Sequence, residues 1–137
     1  MQSDPVLVAE TRSWLVRASN DLAAAAHNMT AQPPFVGDAV FHAQQATEKA
    51  LKGFLIWHRQ TIRKTHSLVK LGQECSQLDT SLQTLLSRAA PLTEYAWKFR
   101  YPGQSTEPSS EEAEDAMAIA RQVYDAILNR LPTEAHP

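Results

Sequence analysis

The eight prolines of this chain fall between long stretches of helical apolar spacing, and that division most constrains the fold. Proline lacks an amide donor and fixes φ, so it marks helix starts and stops. Asp4-Pro5 reads as an N-cap followed by proline at the first helical position, where the missing donor costs nothing. Behind it Val8, Leu15, Ala18, Leu22, Ala25, Ala26 and Met29 recur at helical intervals, which predicts a first helix over about residues 5–29. Pro33-Pro34 and Gly37 break it. Asp38 can cap a second helix running to about Arg59, with Val40, Ala43, Thr47, Ala50, Leu51, Phe54 and Leu55 on its apolar face. Gly53 inside that helix costs about 1 kcal/mol relative to Ala, a cost that fits a close approach by a neighbouring helix.

After a basic loop from Arg59 to Lys64, Thr65 or Ser67 can cap a third helix carrying Leu68, Leu71, Cys75 and Leu78. Asp79 or Thr80 can cap a fourth, with Leu82, Leu85, Leu86, Ala89, Ala96 and Phe99 as its stripe. Pro91 should kink or divide it. Ser109 and Glu112 form a capping box before the last helix, whose stripe runs through Ala113, Ala116, Met117, Ala120, Val123, Tyr124, Ile127, Leu128 and Leu131. Pro132 ends it, and residues 132–137 are expected to fray. These signals predict an all-α, up-and-down bundle of four to five helices in one domain, with a core over about residues 5–131.

Composition narrows the function classes. With 13 basic and 15 acidic residues the net charge is -2, which excludes a polybasic arm or an acidic disordered tail but permits a local cationic cluster. One cysteine allows neither an internal disulfide nor a cysteine-based zinc site. The first residues, Met1-Gln2-Ser3-Asp4-Pro5, lack a signal peptide's basic and apolar regions, and no apolar run approaches the ~18 residues of a membrane span. A cytoplasmic protein without membrane contact is expected. The five histidines show no zinc-ligand spacing, so no metal and no cofactor are expected. Phosphate-cradling glycine loops and serine-hydrolase motifs are absent as well.

Two segments carry candidate chemistry. The polar residues from Gln44 to Lys52 include Glu48 and Lys52, an i,i+4 pair in the favourable order; their blandest reading is a solvated helix face. Tyr95-Ala96-Trp97-Lys98-Phe99-Arg100-Tyr101-Pro102-Gly103 gathers two cations and four aromatic rings at a helix end. The rings can plug the bundle while the cations favour the helix dipole. Equally, Arg100 can grip a phosphate while an aromatic ring stacks on a base.

The same residues resemble the HEPN domain family, named for higher eukaryotes and prokaryotes nucleotide-binding. Residues 41–52, Phe-His-Ala-Gln-Gln-Ala-Thr-Glu-Lys-Ala-Leu-Lys, resemble the family's FxAQQAxEKxLK segment. Thr65-His66-Ser67-Leu68 with Leu71 resembles its tHxLxxL element, and Arg100-Tyr101-Pro102-Gly103 its RYPG element. The acidic, alanine-rich Glu111 to Ala120 resembles the start of its last helix. The resemblance implies a helical bundle that forms a homodimer and pairs with a minimal nucleotidyltransferase protein, often as toxin and antitoxin. It also implies, for many members, metal-independent ribonuclease activity through an Arg-x(4–6)-His motif. Arg100 stands at the place of that arginine, but Ser105, Thr106 and Glu107 stand where the histidine belongs.

The expectation is therefore a non-catalytic protein that binds a nucleotide or RNA, or the nucleotidyltransferase. Arg100, Tyr101, Lys49, Lys52 and His66 are the ligand-binding candidates. The alternatives are an RNA endonuclease toxin using Arg100 or Arg59 with His66, and a dimeric scaffold without a small-molecule ligand.

Overall fold

The computed structural model describes residues 4–62, 64–103 and 106–137. Met1 to Ser3, Arg63, Gln104 and Ser105 lie outside the described residues, and with them parts of the N-terminal, basic-loop and histidine-position readings above. Five α-helices and no strand occur among the described residues. Helix α1 spans Pro5–Thr30 and opens as expected, with the Asp4 carboxylate accepting from the Val6 amide.

Helix α2, Val36–Trp57, begins before its expected cap. Asp38 lies in the first turn, where its charge suits the helix dipole. Phe35 holds the N-cap position without a side-chain hydrogen bond, its carbonyl accepting from Ala39. Burial of Val36 explains the earlier start, because a helical turn there carries its side chain into the core. At the other end α2 stops at Trp57, and Arg59 takes a left-handed φ of 59°.

Ser67 caps α3, Leu68–Leu78, by accepting from the Lys70 amide. Leu68, Leu71 and Cys75 are buried, and desolvation pushes the Cys75 thiol up to about 12, so it stays protonated and inert. Asp79 caps a short 3-10 turn, Thr80–Leu82, that leads into α4, Gln83–Ala89. Pro91 divides the fourth element as anticipated: α4 gives way to a 3-10 segment, Ala90–Ala96. Ser109 accepts from the Glu112 amide at the start of α5, Ser110–Leu128.

Helix α2 is the centre of the bundle, packed against α1, α3, α5 and the Ala90–Ala96 segment. Gly53 is the crossing point with α1. A Cβ there would come within 2.5 Å of Leu15 Cδ2 and 3.2 Å of Trp14 Cβ. Because neighbours surround α2, the Gln44–Lys52 stretch is not a solvated face: Gln44, Thr47, Glu48 and Lys52 are all buried.

The chain end is more ordered than expected. Thr133–Ala135 forms a 3-10 turn with Ala135 buried, and the His136 ring lies 2.8 Å from the Leu128 carbonyl and 3.1 Å from that of Leu131. Arg12 donates to the Glu134 carbonyl. The orphan carbonyls at the end of α5 thus find a donor, which docks residues that would otherwise fray. No helix among the described residues is long and apolar enough to cross a membrane.

Candidate functional site

Burial decides which of the polar groups on α2 can meet a ligand. Asp21 sits at core spacing on α1, between Ala18 and Ala25, and is buried. Its Oδ1 is 2.8 Å from His42 Nδ1 and its Oδ2 is 2.6 Å from Lys49 Nζ, both from α2. One carboxylate is therefore shared by two partners. Lys49 is bound to that internal carboxylate rather than held out as a spare cation.

A second buried carboxylate lies nearby along α2. Glu48 Oε1 is 2.8 Å from His66 Nδ1, and Oε2 is 3.0 Å from Lys52 Nζ. Gln44 Nε2 donates to Glu48 Oε1 at 3.1 Å and, at 3.4 Å, to the His66 carbonyl. Burial alone would push the Glu48 carboxyl up; the hydrogen bonds from His66, Lys52 and Gln44 and the Lys52 charge outweigh it and hold the group below the ordinary carboxylate range. Lys52 also lies 5.8 Å from the Trp14 ring centre. Its ammonium is enclosed by the protein, so Lys52 is an internal partner of Glu48. The His66 side chain is different: 67% of it is exposed while its Nδ1 stays fixed on Glu48.

Arg100 occupies a third environment. Its guanidinium carbon lies 3.8 Å from the centre of the Phe41 ring, a cation–π stack that fixes the group. Among the described residues that guanidinium makes no hydrogen bond or ion pair, so none of them occupies its donors. Phe41 meets His42 edge-on, with ring centres 5.4 Å apart. Tyr101 is 61% exposed and Trp97 49%. The other rings of the segment do plug the bundle: Tyr95 and Phe99 stack at 5.7 Å, both partly buried. Lys98 pairs with Glu94 at 3.1 Å. Burial, with Glu112, Glu94 and Asp115 adding to it, raises Tyr95 above an ordinary phenol and keeps it protonated.

The five ligand-binding candidates thus divide. Arg100 and Tyr101 share one open corner, His66 is exposed on a buried support, and Lys49 and Lys52 belong to internal ion pairs. Arg59 does not join His66, because Arg59 faces Asp4 at the start of α1 across 3.7 Å while His66 is drawn to the middle of α2. Sequence reasoning offered none of Asp21, Phe41 and His42 as a site residue, although Phe41 and His42 open the FxAQQAxEKxLK-like segment. Asp21 had left a signal, an acid at core spacing in an alanine-rich helix. No cluster of metal-ligating side chains occurs among the described residues.

A cavity of about 340 Å³ beside this corner is lined by Lys98, Phe99, Thr106, Glu107, Pro108 and Glu112. Its two glutamates make it a poor seat for an anion. A larger cleft of about 590 Å³, between α3 and α4, has no charged lining residue and none of the candidates. Neither Arg100 nor Tyr101 lines either cavity.

Residues 11–131 match the HEPN domain, most of the chain's length. The chain belongs to the HEPN domain family. No curated protein and no solved structure gives a significant match. Within this HEPN domain, the FxAQQAxEKxLK-like segment forms the middle of α2, the tHxLxxL-like segment delivers His66 and Ser67 to the start of α3, and the RYPG-like element presents Arg100.

Proposed function

We propose that this HEPN protein works by binding a phosphate-bearing ligand, a nucleotide or RNA, at the Arg100 corner, and does not cut RNA through an arginine–histidine motif. The stacking of Arg100 on Phe41 carries the reading. A guanidinium pinned on a ring keeps its planar fork ready for two phosphate oxygens and loses little freedom on binding. Exposed Tyr101 and Trp97 offer rings to a base. Against catalysis, Thr106 and Glu107 follow Arg100 where a histidine would be required, as does Ser105.

The family's pairing with minimal nucleotidyltransferases favours a partner that presents or consumes the bound nucleotide, in a toxin–antitoxin setting. It also favours a homodimer, which light scattering over a concentration series reads directly. Calorimetric titration of ATP and a short RNA tests the binding site. Arg100→Ala is expected to remove about 1.5–3 kcal/mol of binding, the range for a charged hydrogen bond. Unchanged affinity in that variant would defeat the reading.

A further inference from the structure

Helix α3 carries a sequence repeat that the Arg100 corner does not use. Leu68 with Val69, Gly72 with Gln73, and Ser76 with Gln77 recur every four residues. They therefore share one face of α3, and that face borders the cleft of about 590 Å³ that α3 forms with α4. Leu68, Gly72 and Leu86 are its buried floor. A Cβ on Gly72 would lie 3.4 Å from Leu86 Cβ, so the two helices meet closely there. Ser76 and Ala90, small and half-buried, add little bulk to the walls.

The rim is polar and uncharged. Gln73 and Gln77 from α3 are exposed, as are Gln83 and Ser87 from α4. Among the described residues none of these four side chains makes a hydrogen bond, so the protein leaves their donors and acceptors unused. The nearby charges are engaged elsewhere: Arg88 Nη1 donates to Gln122 of α5 at 3.1 Å, and Asp79 Oδ2 is 2.7 Å from Arg130 Nε. Lys70 and Glu74 fall off the four-residue repeat and do not line the cleft. A charged ligand would shed hydration here without a counter-charge. An uncharged one gains by burying apolar surface on the floor and bonding to the amides of the rim.

We infer that the α3–α4 cleft is a second binding site, taking an uncharged organic molecule with a compact apolar body and a hydrogen-bonding edge. Its volume falls within the roughly 300–1,000 Å³ of small-molecule clefts. The buried floor is two leucines and a glycine, enough for one such body but not for the apolar stripe of a docked helix, which needs anchors over two turns. Each glutamine amide offers both a donor and an acceptor, which suits carbonyl, lactam and amide edges. The site stands apart from the proposed anion contact, since Arg100 does not line it.

Fluorescence titration of the full chain with two probes tests it: aminomethylcoumarin, which is neutral, and its acetic acid derivative, which adds a carboxylate to the same rings. The neutral coumarin is expected to saturate at one per chain, and the acid to bind about tenfold more weakly because its carboxylate finds no partner. NMR should show the side-chain amide signals of Gln73, Gln77 and Gln83 shifting with the neutral probe. Gln77→Ala should weaken that probe by about three- to tenfold, the range for one neutral hydrogen bond. Ser87→Trp places a large ring on the exposed rim and should abolish binding with the melting temperature preserved. Arg100→Ala should bind the coumarin normally. Equal affinity for both probes, binding that survives Ser87→Trp or ignores Gln77→Ala, binding lost in Arg100→Ala, or no saturation at millimolar probe would each overturn the inference.

Discussion

Glu48 Oε1 lies 2.8 Å from His66 Nδ1, joining a buried carboxylate in the middle of α2 to an exposed ring at the entry to α3. The bond does two things at once. It supplies a partner to a charge that could not stay buried alone, and it fixes the segment leading into Ser67, the cap of α3. Because Lys52 and Gln44 also reach Glu48, one side chain ties α2 to the loop and to its own next turn.

Acid sensitivity follows from that carboxylate. Its folded pKa is depressed, so its stabilisation is fully present above the unfolded carboxylate range and is lost as pH falls through the lower folded value. Thermal melts should therefore show a decline on acidification through and below the ordinary carboxylate range. Glu48→Gln should flatten that decline and lower stability near neutrality by about 3 kcal/mol, since Lys52 would be left buried without its counter-charge. A variant with the wild-type pH profile would show that Glu48 does not govern it.

The α1–α2 crossing makes Gly53 intolerant of a side chain. Alanine would gain about 1 kcal/mol of helix propensity, but its Cβ would meet Leu15 Cδ2 at 2.5 Å and Trp14 Cβ at 3.2 Å. Leu15 is fully buried and has little room to yield. Overpacking of this kind costs about 1–3 kcal/mol, so Gly53→Ala should be net destabilising in urea titration. A stabilised variant would mean that the crossing relaxes freely.

The helical frame was legible in the sequence because capping, proline position and apolar period agree there. Asp4, Ser67, Asp79 and Ser109 all cap as their residue types suggest. The polar middle of α2 was not legible. Periodicity reports which residues share a face, but whether that face is wet depends on neighbours far away in sequence. Asp21 from α1 and His66 from the loop before α3 reach residues on α2 only in the folded chain. Arg100 was visible as a cation among rings, yet its particular ring, Phe41, lies 59 residues away and nothing local pairs the two.

On the last helix, Ile127 is fully buried while Leu128 is only partly so, which refines the stripe read from the sequence. Ile127→Asp should prevent folding, since it buries an unpaired charge in the centre of the bundle. Leu128→Asp should leave a folded but weakened protein. Circular dichroism melts of the two variants separate them, and equal effects would contradict the burial order.

A nuclease assay addresses the enzyme alternative. His66 resembles an oriented proton-transfer group, because its Nδ1 is fixed on a carboxylate and its ring is exposed. Catalysis needs more than an oriented base: a phosphate-gripping cation has to face the same scissile bond. Arg59 is held at Asp4, and Arg100 stands at Phe41, two turns of α2 away from Glu48. Neither arginine contacts His66 or Glu48 among the described residues. Purified protein should therefore leave single-stranded RNA intact over hours without metal, and His66→Ala should behave identically. Cleavage that disappears in His66→Ala, with the melting temperature of the variant unchanged, would make the protein a ribonuclease and reassign His66 from ligand-binding candidate to acid–base catalyst.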